Sequence, residues 1–174
     1  IETKAGLGSK FSDKQYSDAG AKIVYSPQEV YKAEVILKID PPSLDEIELM
    51  RSGQALISAI QLGHLQVETL EALLKKRITA LAFEFIEDKV GGIPIIRAMS
   101  EIAGSSVMLI ASEYLSTTNN GKGVILGGIT GVPPTKVVII GAGTVGEYAA
   151  RAALGLGADV QIFDNHLYKL RRIK

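Results

Sequence analysis

The stretch KVVIIGAGTVGEYAARAALGLGADVQIFD, residues 136–164, decides the fold of the second half of the chain. It opens with Lys136 to Ile140, a mainly β-branched run that is typical of a central strand in a parallel sheet. A glycine-rich turn follows, and then Glu147 to Leu156, an Ala-rich segment that is typical of a helix. A second strand is predicted from Asp159 to Phe163, with Asp164 at its carboxyl end. This order predicts a strand–helix–strand unit with parallel strands.

The turn after the first of these strands has the Gly-x-Gly-x-x-Gly spacing of dinucleotide-binding folds. Gly141 permits a tight turn, Gly143 lets the backbone approach a pyrophosphate, and Gly146 lets the helix pack closely on the strand. The amino terminus of the helix offers free N–H groups and a partial positive charge to phosphates. The Asp164 carboxylate can accept from both ribose hydroxyls, and it would repel a 2′-phosphate.

These features predict a site for a nicotinamide dinucleotide, with NAD(H) preferred over NADP(H). The predicted cofactor-binding residues of this segment are Gly141, Ala142, Gly143, Thr144, Val145, Gly146 and Asp164. Two alternatives stay open at this point: a glycine-rich turn that no longer binds a ligand, or a site for another adenine nucleotide. Asn165 and a neighbouring Arg could also offset the discrimination against a 2′-phosphate.

The first half of the chain alternates predicted strands and helices, as α/β proteins do. Ser43 and Glu46 have the spacing of a capping box at the start of one helix. Strands are predicted at residues 21–25, 34–39, 54–60 and 78–85, helices at 44–51 and 69–76, and a long helix at 96–115.

The predicted fold class is therefore α/β, with two Rossmann-like domains whose parallel sheets are joined by the long helix. Residues 1–98 would form an N-terminal substrate or catalytic domain. Residues 99–174 would form the connecting helix and the first part of a nucleotide-binding domain. Because both ends of the chain interrupt such a fold, we expect the chain to be a fragment of a longer protein.

The composition argues against several classes of partner. The 19 Lys and Arg residues balance 19 Asp and Glu residues, so no basic excess favours nucleic acid. The lack of cysteine and the presence of only two His predict no metal site. The apolar runs look shorter than a membrane span, and no leader pattern opens the chain. We therefore expect a cytoplasmic protein with no direct membrane contact.

Residues 121–134 and 136–164 together resemble the alanine dehydrogenases and the alpha subunits of NAD(P) transhydrogenase, which are sister families. The resemblance implies hydride exchange between NAD and a small-molecule substrate in a cleft between two domains, and a homo-oligomer. It also implies that Ser100 lies near the cofactor, although Ser100 could instead cap the long helix. Shorter matching stretches extend over nearly the whole chain, at residues 5–9, 18–21, 37–39, 52–54 and 99–104.

Three positions match catalytic positions of the alanine dehydrogenase pattern, and two of them carry a different residue. Asp40 stands where the pattern has a Lys that holds the substrate carboxylate. Gln61 stands where the pattern has the acid–base His, and His64 follows three residues later. Glu84 matches the Glu of a Tyr-Glu pair; alternatively, it is a surface carboxylate or the partner of a nearby cation. Asp40, Gln61 and Glu84 are thus the candidate catalytic residues.

The resemblance favours an NAD-dependent oxidoreductase of the alanine dehydrogenase type, which transfers hydride between an L-amino acid or 2-oxo acid and NAD(H). The alternative is the NAD(H)-binding alpha subunit of an NAD(P) transhydrogenase, because that family also lacks the Lys and the His. A non-catalytic NAD-binding paralogue is the third interpretation.

Overall fold

A computed structural model describes residues 1–173 of the chain. The chain forms two compact units, Ile1–Ile86 and Glu87–Lys174. Both units combine helices with parallel strands, which confirms the α/β class. The boundary predicted between residues 98 and 99 lies inside the long helix of the second unit, and it stays a prediction.

The first unit is built on a parallel sheet of three strands in the order β1-β2-β3. The strands are β1 (Val35–Leu37), β2 (Ala55–Ser58) and β3 (Thr79–Ala82). The helices are α1 (Asp13–Asp18), α2 (Pro27–Val30), α3 (Leu44–Leu49) and α4 (Val67–Lys75), with short 3₁₀ helices at Leu7–Ser9 and Phe83–Phe85.

One apolar core holds this unit together, because residues from strands and helices bury their side chains in the same cluster. Leu56 of β2 is fully buried, as expected for the central strand. Ser43 and Glu46 form the predicted capping box: the Glu46 N–H donates to the Ser43 hydroxyl, and the Ser43 N–H donates to the Glu46 carboxylate. The buried members of the cluster are Tyr31, Ile36, Ile47, Met50, Leu56, Ile60 and Leu73.

The strand predicted at residues 21–25 is wrong. Only Val24 pairs, in an isolated parallel bridge with Glu2, because Val24 is the only buried residue of the run and nothing pins a longer ladder. The strand predicted at residues 78–85 ends at Ala82, where the chain turns into the 3₁₀ helix.

The second unit contains the strand–helix–strand segment of residues 136–164. Its strands are β4 (Lys136–Ile140) and β5 (Asp159–Phe163), a parallel pair with the predicted bounds. Its helices are α5 (Pro94–Leu115), α6 (Thr144–Gly155) and α7 (Leu167–Arg172), with a 3₁₀ helix at Thr117–Asn119. Helix α6 begins before the predicted Glu147, because the last residues of the glycine motif already form its first turn.

Helix α5 begins two residues earlier than predicted, and it is long and apolar. By length and composition alone it could cross a membrane, since it has 22 residues and contains an 18-residue window with a mean hydropathy of 1.3. The expectation that every apolar run is too short was therefore wrong. The core helix of a soluble protein meets the same criteria, but only 11% of the apolar window of α5 is buried, and the buried residues of α5 within the second unit are Gly104 and Met108. Met108 clusters there with Ala149 and Ala153 of α6.

Candidate functional site

The glycine-rich loop between β4 and α6 has the geometry that its spacing predicts. Gly141 has a φ of +106°, a left-handed conformation that favours glycine, and its N–H donates to the Phe163 carbonyl over 2.7 Å. A methyl group on Gly146 would collide with the Gly141 carbonyl oxygen, so this glycine lets the helix start directly against the turn. A methyl group on Gly143 would meet nothing within 4 Å, so its Cα faces open space.

The first turn of α6 begins directly after Gly143. Gly143 is the N-cap residue and offers no side chain to these donors. The N–H groups at a helix start have no intrahelical acceptor, and they carry the positive end of the helix dipole. Thr144, Val145 and Gly146 form this turn, so the loop has the donors and the space that a pyrophosphate needs.

Asp164 lies beside the same loop, at the carboxyl end of β5. Its side chain is 5% exposed. One carboxylate oxygen accepts from the Ala142 N–H over 2.7 Å, and the other accepts from the His166 N–H over 2.7 Å. These two bonds hold the pKa of the carboxyl below its usual value, and the bond from Ala142 has the larger effect. The positive charge of Lys169, whose Nζ lies 3.9 Å from the carboxylate, lowers the pKa further. The predicted nucleotide-binding residues 141–146 and Asp164 are thus brought together.

Ser100 does not cap the long helix. Helix α5 begins at Pro94, a residue type favoured at the first helical position, and Ser100 lies in its second turn. Gly104 stands one turn later, where an added methyl group would come within 2.5 Å of the Val145 carbonyl oxygen. Ser100 lies one turn before Gly104 on the same face of α5.

The three candidate catalytic residues of the first unit follow its three strands in order. Asp40 comes after β1, Gln61 after β2 and Glu84 after β3. Because the strands are parallel, all three lie at the carboxyl edge of the sheet, where α/β proteins bind ligands.

A pocket of about 450 Å³ opens at this edge. Gln61 and His64 both line it, and Asp45 is the only Asp or Glu in its lining among the residues that the structure describes. Asp40 is exposed and stands next to the lining residue Pro41. The remaining lining residues are Pro42, Ser43, Leu44, Ile60, Leu65, Gln66 and Thr69.

Glu84, unlike Asp40 and Gln61, makes side-chain hydrogen bonds to the backbone at the end of a neighbouring strand. One of its carboxylate oxygens, Oε1, accepts from the Ile60 N–H over 2.9 Å and from the Gln61 N–H over 2.6 Å. The other oxygen, Oε2, is buried and has no hydrogen-bond partner in the described part of the chain. Glu84 is therefore partly buried and, among residues 1–173, has no cation as a partner: its hydrogen bonds are to the backbone that carries Gln61.

The sequence alone did not predict the ion pair between Lys38 and Glu46. The Lys38 Nζ lies 2.6 Å from both oxygens of Glu46, and Lys38 is only 20% exposed. Burial raises the pKa of Glu46, but the bonds from Lys38 and from the Ser43 N–H lower it further, so the net shift is downward. Burial and the Glu46 charge together raise the pKa of Tyr31. No local spacing predicts this pair, since Lys38 lies in the loop after β1 whereas Glu46 lies in α3.

Family models match nearly the whole chain. The N-terminal domain of alanine dehydrogenase/PNT matches residues 1–103, and the C-terminal domain of alanine dehydrogenase/PNT matches residues 107–174. Among sequence relatives, an alanine dehydrogenase of Methanococcus maripaludis is 42% identical over 171 residues, which are 98% of this chain and 46% of that protein. An alanine dehydrogenase of Bacillus subtilis is 39% identical over 173 residues, 99% of this chain and 45% of that protein.

Solved structures agree with these matches. An L-alanine dehydrogenase aligns with a TM-score of 0.90 at 39% identity, over 99% of this chain and 48% of that one. A transhydrogenase from Sinorhizobium meliloti aligns with a TM-score of 0.84 at 27% identity, over 99% of this chain and 51% of that one. The chain spans about half the length of the relatives that it matches. By these matches, and by the glycine loop and sheet edge described above, the chain belongs to the alanine dehydrogenase/PNT family.

Proposed function

We propose that this chain is part of an NAD-dependent oxidoreductase that transfers hydride between an L-amino acid, or its 2-oxo acid, and NAD(H). The observation that supports it most strongly is the arrangement of the glycine loop, the first turn of α6 and Asp164. The space at Gly143 and the free donors of the helix start suit a pyrophosphate, and Asp164 suits the hydroxyls of a ribose. The identities near 40% to two alanine dehydrogenases support the same reaction.

Gly141 to Gly146 and Asp164 would hold NAD, which when bound would supply the hydride acceptor for C2 of the amino acid. The oxidised substrate, an iminium, would then be hydrolysed by water to the 2-oxo acid and ammonium, with one proton released to the solvent, and the reverse sequence would make the amino acid. We assign substrate binding to the pocket of the first unit. The Gln61 amide can donate and accept hydrogen bonds there, which orients a substrate, but an amide does not exchange protons near neutral pH. We assign Ser100 a role in binding the cofactor.

Asp40 and Gln61 set this chain apart from the alanine dehydrogenase pattern. A carboxylate at position 40 repels a substrate carboxylate that the pattern's Lys would attract. We therefore propose that L-alanine is a poor substrate and that another amine-bearing substrate is preferred. We also propose that the protein is cytoplasmic, forms a homo-oligomer, and binds a small molecule rather than nucleic acid.

A transhydrogenase alpha subunit is the second candidate, and the loss of the Lys and the His favours it. The match to a solved transhydrogenase at 27% identity is compatible with this function. A paralogue that binds NAD without catalysis is the third candidate.

The test uses the full-length protein with NAD and a panel of L-amino acids at alkaline pH, followed by NADH absorbance. Turnover supports the dehydrogenase, and the preferred amino acid identifies the substrate. The double variant Asp40→Lys, Gln61→His should then shift preference towards alanine. No turnover, with NADH binding intact by fluorescence, would overturn the dehydrogenase. Hydride exchange between NADH and a nicotinamide-analogue dinucleotide, with a membrane partner present, would then identify the transhydrogenase.

A further inference from the structure

We propose that Glu84 is a positioning residue, which fixes the backbone at Ile60 and Gln61 and thereby sets the position of Gln61 in the substrate pocket. Glu84 itself does not line that pocket. The part of this inference that concerns turnover rests on the proposed function, whereas the part that concerns the backbone does not.

The carboxylate of Glu84 joins the ends of two neighbouring strands. Glu84 follows β3 by two residues, and its Oε1 accepts from two consecutive N–H groups just after β2. Ile60 is 4% exposed, so its N–H has little access to water as an alternative acceptor. Bonds from N–H groups to an ionised oxygen are stronger than bonds between neutral groups. One carboxylate thus satisfies both donors at the point where the strand ends.

Gln61 needs such a support because its backbone is left-handed. Its φ is +51°, a conformation that L residues other than Asn, Asp and Gly rarely adopt. Such residues persist when the surroundings hold them, and they concentrate at functional sites. Two bonds hold this one: the Gln61 N–H donates to Glu84, and the Gln61 carbonyl accepts from the His64 N–H over 2.8 Å.

The conformation at Gln61 determines what the substrate meets. Gln61 and His64 both line the pocket, and the short turn between them sets where each side chain begins. When the turn relaxes to a right-handed conformation, the Gln61 side chain leaves from a different direction. Substrate affinity therefore depends on Glu84 although Glu84 makes no substrate contact.

The test compares Glu84→Ala and Glu84→Gln in the full-length protein with Glu71→Ala as the control. Glu71 is also a glutamate of this unit but is exposed on α4. Glu84→Ala removes the acceptor, so the amides of Ile60 and Gln61 should exchange hydrogen about tenfold faster or more, as loss of a charged acceptor implies. Glu84→Gln keeps an acceptor oxygen but loses the charge, and should fall between the wild type and Glu84→Ala. Glu71→Ala should leave both amides unchanged.

The kinetic readout separates positioning from general damage. Glu84→Ala should raise KM for the amino acid about tenfold, leave kcat near that of the wild type, and leave NADH affinity unchanged, because only substrate binding is lost. A second cycle adds Gln61→Gly, since glycine adopts a positive φ without help. Glu84→Ala should then lower the melting temperature less in the Gln61→Gly protein than in the wild-type protein.

Three results would overturn the inference. One is unchanged exchange at Ile60 and Gln61 in Glu84→Ala. Another is a loss of kcat in Glu84→Ala with KM unchanged, which would make Glu84 a catalytic residue. The third is an equal effect of Glu71→Ala. Where the full-length protein turns over no amino acid, the proposed function fails, and the amide exchange still decides the positioning role.

Discussion

The backbone N–H of Ala142 donates a hydrogen bond of 2.7 Å to the carboxylate of Asp164. This bond joins the turn after β4 to the end of β5, across the two ends of the strand–helix–strand unit. The acid that we assign to the ribose is therefore held against the loop that we assign to the pyrophosphate. Its position depends on the register of the two strands, which pair Ile140 with Phe163 immediately before the loop and the acid.

The exchange Asp164→Asn should weaken NADH binding and narrow the discrimination against NADPH. The amide loses the charged acceptor for the ribose, which costs about tenfold or more in Kd. It also no longer repels a 2′-phosphate, so the ratio of the two affinities shifts towards NADPH. Fluorescence titration of the full-length protein with each nucleotide measures both effects.

Asp159→Asn is the matched control, because Asp159 is exposed at the opposite end of the same strand. It should leave both affinities at the wild-type values. An Asp164→Asn variant with wild-type NADH affinity would contradict the assignment of Asp164 to the ribose.

The ion pair of Lys38 and Glu46 should make stability depend on acidic pH. The pKa of Glu46 in the folded chain is lower than its ordinary value of 4.5. Its contribution to the free energy of unfolding is therefore complete above pH 4.5 and is lost as the pH falls through the lower, folded value. Glu46→Gln should lower the melting temperature at pH 7 and flatten its fall below pH 4.5.

Melting curves between neutral and acidic pH test this dependence, with the exposed Glu71→Gln as the control. The control should reproduce the wild-type curve. A Glu46→Gln curve parallel to the wild-type curve through the acidic range would show that the ion pair does not carry the effect.

Two glycines of α6 should respond to alanine in opposite directions. In Gly146→Ala the new methyl group meets the Gly141 carbonyl oxygen, so the helix start must shift, at a cost of about 1–3 kcal/mol and with loss of NADH binding. In Gly155→Ala the methyl group meets nothing within 4 Å, and the exchange should stabilise the chain by about 0.5–1 kcal/mol.

Denaturant unfolding and NADH titration of both variants decide between local packing and general helix effects. If both variants lose stability to the same extent, the contact with the Gly141 carbonyl is not the reason why alanine is unfavourable at position 146.

The packing of α5 on α6 should depend on Gly104. A methyl group on Gly104 would lie 2.5 Å from the Val145 carbonyl oxygen and 2.7 Å from the Tyr148 Cβ, so the two helices must move apart. We expect Gly104→Ala to lower the free energy of unfolding by about 1–3 kcal/mol. Because Val145 belongs to the first turn of α6, NADH affinity should fall as well.

Ser105→Ala serves as the control for this variant, since Ser105 is the adjacent, exposed residue of the same helix. Its hydroxyl donates to the Glu101 carbonyl, within the helix, and its loss should change stability little. Thermal melts of Gly104→Ala and Ser105→Ala that coincide would argue against close packing at Gly104.

Local rules explain why some elements were predictable. The bounds of β4 and β5 follow from a β-branched run next to a glycine motif, and the cap at Ser43 follows from a spacing of three residues. Each depends on neighbours in the chain, so the sequence specifies it without knowledge of the fold. The run at residues 21–25 had the composition of a strand, but strand formation needs a partner, and only Val24 finds one.

The sequence by itself determined the α/β class, the glycine loop with Asp164 beyond it, and which residues stand after each strand. Only the tertiary structure decided that Glu84 holds the backbone of Gln61, that Lys38 pairs with Glu46, and that Gly104 meets Val145. These contacts join residues from separate elements. The packing of strands and helices brings them within bonding distance, and no periodicity along the chain encodes that distance.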